Sequence, residues 1–241
     1  MRKVSYLHAS LYLGDGEVAE AISDKDKIDL KINQLTHENF EIKRGCKNQF
    51  HVFRCKSSKM AKKAVKLAKV IASSSKREKG ESGSFNFRSI TLFPFSDKSL
   101  NREAIKRYLK AAFFSYNKEI PVDRYGPRNF HCSYLVMWLY QAAESKYVLK
   151  ELNRLSISKI EFPDITLCQT KKEKGEAIAQ WAKNNRDRYE EELRDLIEIN
   201  LNAKAISPSD MFNFFKLKSH LFGQVFNVIS KESIEEKNSQ N

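Results

Sequence analysis

Small and apolar residues at Leu7, Ala9, Leu11 and Leu13 alternate with more polar neighbours, a period of two that predicts a strand with one buried face. Gly14-Asp15-Gly16 follows as a strong hairpin signal, and the return strand is expected from Val18 to Ile22. The period then changes. Met60, Ala64, Leu67, Val70 and Ile71 share one side of a helix, mostly opposite Lys59, Lys62, Lys63, Lys66 and Lys69. Residues 76 to 84 (KREKGESGS) read as a loop by composition. Asn101 and Glu103, ahead of Ile105, Leu109, Ala112 and Phe113, predict an amphipathic helix from Leu100 to Tyr116. Tyr125-Gly126-Pro127 marks a turn and Asn129 is the expected cap of the next helix, in which Leu135, Val136, Leu139, Tyr140 and Ala143 recur at helical spacing.

The remainder is expected to be mainly helical. Residues 146 to 155 read as helix, and Ser158 to Leu167 as a strand or irregular segment interrupted at Pro163. A long helix is expected over 173 to 202, with Ala177, Ile178, Trp181, Leu193, Leu196 and Ile197 as its apolar stripe. Ser207-Pro208-Ser209-Asp210 opens another helix, with proline near its first turn. Phe212, Phe214, Phe215, Phe222 and Phe226 then supply core for the C-terminal part. The last segment, KESIEEKNSQN, is polar and reads as a disordered tail.

Composition narrows the class. A chain of 241 residues with 41% hydrophobic and 30% charged residues can bury a real core as a soluble domain with an extension. Its apolar stretches are broken by charges, and no transmembrane segment or signal-peptide core is expected. Cys46, Cys55, Cys132 and Cys168 lack CxxC spacing, which argues against a zinc site or disulfide framework and for a reducing compartment. His37, His51 and His220 have no metal-ligand spacing. The net charge of +13 favours anionic partners. The lysine-rich helix carries no interleaved aromatics, so no specific nucleic-acid contact is expected, and an anionic membrane surface fits better.

The chemistry concentrates in two distant segments, HASLYLGDGEVAEA (residues 8 to 21) and HCSYLVMWLYQAA (residues 131 to 143). His8 and Glu20 flank the turn so that antiparallel pairing brings them close, where a carboxylate can fix the imidazole tautomer. Glu17 is near enough to compete for that part. Cys132 falls in the first turn of its helix, where unpaired N–H groups and the positive end of the dipole favour a thiolate. His131 adjoins Cys132, but consecutive helical residues do not face each other, so His8 is the preferred base. Arg54 reads equally as a pocket cation or a surface residue.

These segments resemble those of the circularly permuted NlpC-type papain-like cysteine hydrolases, the YaeF/YiiX branch, with lecithin:retinol acyltransferase more distant. The matching features are His8, the Gly14-Asp15-Gly16 turn, Glu20, and Cys132-Ser133-Tyr134-Leu135-Val136, in the His-before-Cys order that marks the permutation. Residues 51 to 72 resemble the family's Arg-bearing strand and long helix, and FNF at 85 to 87 the segment before its catalytic helix. The family helix commonly reads Tyr-Cys-Ser-Glu; here His131 and Tyr134 take the flanking positions. The resemblance implies an α+β fold, an antiparallel sheet packed on helices, over residues 1–145, with an insertion at about 97–126. A mainly helical extension (146–230) and the tail (231–241) follow.

It also implies Cys132 as nucleophile, His8 as base and Glu20 as orienting residue, acting on an amide or ester of a protein, peptide or lipid-derived acyl substrate, with no metal or organic cofactor required. The alternatives are a lipid-directed acyltransferase or phospholipase at anionic membranes, and an inactive papain-like module that binds proteins. The acidic residues Glu232, Glu235 and Glu236 in a polar tail resemble signals of bacterial type IV-secreted effectors, which implies a bacterial cytoplasmic protein that is translocated into a host cell.

Overall fold

A computed structural model describes residues 8–24, 27–34, 49–74, 97–117, 131–156 and 159–229. Three strands form an antiparallel sheet in the order β1 (Leu11–Gly14), β2 (Glu17–Asp24) and β3 (Lys27–Gln34). The β1–β2 turn holds Gly14, Asp15 and Gly16 at φ of 102°, 52° and 77°. Glycine and aspartate tolerate this left-handed backbone, which explains the motif. Ala9, Leu11, Leu13, Ala19 and Ala21 are buried, matching the alternation, while Leu7 lies outside the described residues. β3 was not anticipated, although KIDLKIN alternates apolar and polar residues.

A second ribbon pairs β4 (Gln49–Cys55) antiparallel with β5 (Phe222–Ile229), joining two distant parts of the chain. Among the described residues five α-helices complete the fold: α1 (Ser58–Ser74), α2 (Arg102–Asn117), α3 (Cys132–Leu155), α4 (Lys171–Leu196) and α5 (Pro208–Leu217). The protein is therefore α+β, with antiparallel pairing throughout. No helix among the described residues is long and apolar enough to cross a membrane.

α3 is the axis. From Cys132 to Ser145 every residue is buried, so this half is covered on all sides. Leu135, Met137 and Leu139 join Leu67 and Ile71 of α1, the sheet residues and Phe215 and Phe222 in one core. Further along α3, Val148, Leu149 and Leu152 join a second core with Tyr108, Leu109 and Phe113 of α2 and Ile178, Trp181 and Leu193 of α4. α2 thus has the predicted buried stripe and reaches both cores, because Ala111 and Phe114 face the first. The boundary expected at 145 falls inside α3, and β5 returns to pair with β4, so the C-terminal part is woven into the same framework.

Several expectations are corrected. The cap of α3 is His131, whose Nδ1 accepts from the Tyr134 N–H at 3.1 Å; Asn129 lies outside the described residues. α4 starts at Lys171, where Thr170 and Glu173 form a capping box, and ends at Leu196 instead of continuing to 202. Beyond it, the Glu198 and Ile199 N–H groups donate to Glu144 Oε1 at 2.8 and 3.1 Å, and Gln141 Nε2 donates to the Ile199 and Leu201 carbonyls. These bonds hold the segment open where a helix would need those groups for itself. The region around Pro163 is irregular. The segments at 76–84, 85–87 and 230–241 lie outside the described residues, as do Cys46 and His37.

Candidate functional site

His8 precedes β1, and its Nε2 lies 2.7 Å from Glu20 Oε2 on β2. Glu20 is buried, with 7% of its surface exposed, and its second oxygen is also engaged: Asn33 Nδ2 of β3 donates to Oε1 at 2.7 Å. The pairs Val18↔Asn33 and Glu20↔Lys31 make Asn33 a diagonal neighbour of Glu20, so both stand on one face of the β2–β3 pair. With Nε2 committed to Glu20, the neutral imidazole carries its proton there and leaves Nδ1 as the basic nitrogen.

Cys132, the first residue of α3, is buried, and the His8 side chain is near enough to act on its thiol. Backbone N–H groups of Ala9 and Ser133 also donate to its sulfur. Burial pushes the thiol up, but the His8 hydrogen bond, the His8 charge and the two N–H groups outweigh it, and the thiol lies below its ordinary value. Cys55 is the contrast. Burial is its largest influence too, the opposing backbone contributions of Ser57 and Ala61 are smaller, and its thiol is raised. Cys55, Cys132 and Cys168 are all free thiols.

The structure therefore brings together Cys132, His8 and Glu20. Glu17 is not the carboxylate at the site; it pairs with Lys69 of α1 at 3.6 Å. His131 is structural. Its Nδ1 accepts from Tyr134 N–H and lies 3.1 Å from Ser133 Oγ, and its Nε2 donates to the Lys204 carbonyl at 3.0 Å. Burial holds it neutral, with its pKa lowered to about 4. Ser133 Oγ donates to the Ile206 carbonyl at 2.7 Å. The residues on both sides of Cys132 thus lock the helix start onto the short turn Ala203–Ala205. Arg54 is exposed, away from any role as a buried cation. His51 meets Gln224, and His220 meets Glu198.

Two contributors escaped the sequence reading. Asn33 carried only its place in the β3 alternation as a signal, and the Ala9 N–H carried none, because a backbone donor has no residue type. Among the described residues, no group of three or more His, Cys, Asp or Glu could hold a metal. The arrangement offers an acidified thiol, a base with a fixed tautomer and a helix N-terminus, the parts needed for attack on a carbonyl. No protein-family model, curated protein or solved structure matches this chain.

Proposed function

We propose that this protein is a thiol-dependent hydrolase or acyltransferase of permuted papain-like architecture, acting on an amide or ester bond. The observation that carries the reading is the convergence of the Cys132 thiol, the His8 ring and the Glu20 carboxylate from separate parts of the chain. Cys132 sulfur attacks the carbonyl carbon while His8 holds the thiol proton. The imidazolium is stabilised by Glu20 and returns the proton to the leaving nitrogen or oxygen as its bond to carbon breaks. This leaves a thioester on Cys132. His8 then takes a proton from water or another acceptor, whose oxygen or nitrogen displaces the sulfur. Negative charge on the carbonyl oxygen is met by the Cys132 N–H at the start of α3, which lacks an intrahelical acceptor.

The basic face supports a lipid-linked acyl donor as the second reading, because Lys59, Lys62 and Lys66 of α1 are exposed. Co-sedimentation with anionic vesicles at low salt separates a lipid from a peptide substrate. The catalytic reading is tested by peptide-resolved alkylation with iodoacetamide at pH 6.5, followed by acyl-adduct mapping with an activated ester. Cys132 is expected to react at least about tenfold faster than Cys168, and to carry an acyl group that Cys132→Ala cannot form. Equal reactivity of the two thiols would leave only a protein-binding module.

A further inference from the structure

We propose that Asn33 is a positioning residue of the site, holding the Glu20 carboxylate in the one orientation that serves His8; this rests on the thiol reading above. Glu20 has two oxygens with different tasks. Oε2 meets His8 Nε2 at 2.7 Å, and Oε1 accepts from Asn33 Nδ2 at the same distance. A carboxylate held at one oxygen can still swing about its terminal bond, which has a broad, two-fold torsional profile. A donor on the second oxygen removes that freedom. Because Glu20 is buried, an unmet Oε1 would also lack solvent to replace the lost bond.

The chemistry fixes which residue suits the position. An ionised carboxylate only accepts, so its neighbour must donate. A lysine here would donate too, but its charge would compete with imidazolium for Glu20 and weaken the base. An asparagine amide donates without adding a charge that would draw on the carboxylate. The β3 register sets the distance, since Asn33 pairs with Val18 and so reaches Glu20 diagonally across the same face. Nothing in the first-turn chemistry of α3 depends on Asn33 directly. Its influence runs through Glu20 to the His8 tautomer, and from there to the sulfur.

Asn33→Asp is the sharpest test. It keeps shape and volume but turns the donor into a second carboxylate, and two carboxylates at hydrogen-bond distance share one proton. Asn33→Ser keeps a shorter donor at lower volume, and Gln34→Ala, on the exposed neighbour, is the control. The measurement is the pH dependence of iodoacetamide alkylation at Cys132 in the intact chain, with circular dichroism as the check on folding. Asn33→Asp is expected to slow the reaction at pH 6.5 by about tenfold, the equivalent of one charge-assisted hydrogen bond, and to move the midpoint of the profile upward. Asn33→Ser should shift it less, and Gln34→Ala should match wild type. If Asn33→Asp does not fold, the Asn33→Ser profile carries the test alone. Folded variants with a wild-type profile would overturn the role of Asn33 while leaving the thiol site intact. A wild-type profile that His8→Ala does not change would instead overturn the site itself.

Discussion

On the sulfur of Cys132 two opposed influences meet, burial on one side and the His8 ring with the Ala9 and Ser133 backbone on the other. Burial alone raises a thiol, as at Cys55, whereas His8 supplies a hydrogen bond and a charge that reverse the sign. Replacing His8 by alanine should leave burial as the largest influence. Cys132 should then resemble Cys55, with alkylation at pH 6.5 falling at least about tenfold and the rate profile moving to higher pH. Cys168, half-buried and remote in sequence, should be unchanged. An unaltered Cys132 profile in a folded His8→Ala protein would count against the pairing. Cys132 and His8 could be read from the sequence because the chain has only 4 cysteines and 5 histidines and these two sit at a helix start and beside a hairpin, whereas Glu20, one of many carboxylates, was singled out by its place across the turn from His8. Asn33 could not be read, since its meaning comes from a strand register.

α3 shows how an element can be recognised correctly while its ends are misread. Its apolar spacing predicted the helix, but the residues around Cys132 looked like flanks and turned out to be fasteners. Ser133 is fully buried, and its hydroxyl satisfies the Ile206 carbonyl. Ser133→Ala should leave that carbonyl unmet, costing about 1–3 kcal/mol, and should lower the thermal midpoint measured by circular dichroism. A change within experimental error would show that the clamp contributes nothing to stability. The end of α4 was misread for a related reason. Gln141 and Glu144 hold backbone groups 54 to 60 residues downstream, and no local pattern in 173–202 reports a partner so far away.

At the scale of the molecule, two buried groups, one capping α3 and one within it, give opposite pH dependences. Burial lowers His131 to about 4. Its folded pKa is depressed, so its contribution is present above its unfolded value near 6.5 and is lost as pH falls toward 4. Burial raises Glu144 to about 7, against the N–H donors of Ile199 and Glu198. Its Oε2 and the buried Tyr108 hydroxyl face each other without forming a full hydrogen bond. Here the folded pKa is raised, so the contribution is present below 4.5 and is lost as pH rises through 7. Between about pH 4.5 and 6.5 the two slopes oppose each other and largely cancel. Glu144→Gln keeps the acceptor for both N–H groups and removes the titration. Relative to wild type, it should gain about 2 kcal/mol more at pH 8 than at pH 5, measured by urea unfolding at both pH values. A difference that does not vary with pH would show that Glu144 ionises in the folded state at its ordinary carboxylate value.

The sequence by itself determined the hairpin and the helices α1, α2 and α3 and marked Cys132, His8 and Glu20 as candidates, because periodicity, turn glycines and the scarcity of cysteine and histidine are local signals. Only the tertiary structure decided that β5 closes on β4, that α3 is shared by two cores, that His131 is a cap, and that Asn33 stands behind Glu20. Each of these depends on partners brought together by burial of apolar surface, an effect without direction along the chain and therefore without a motif to announce it.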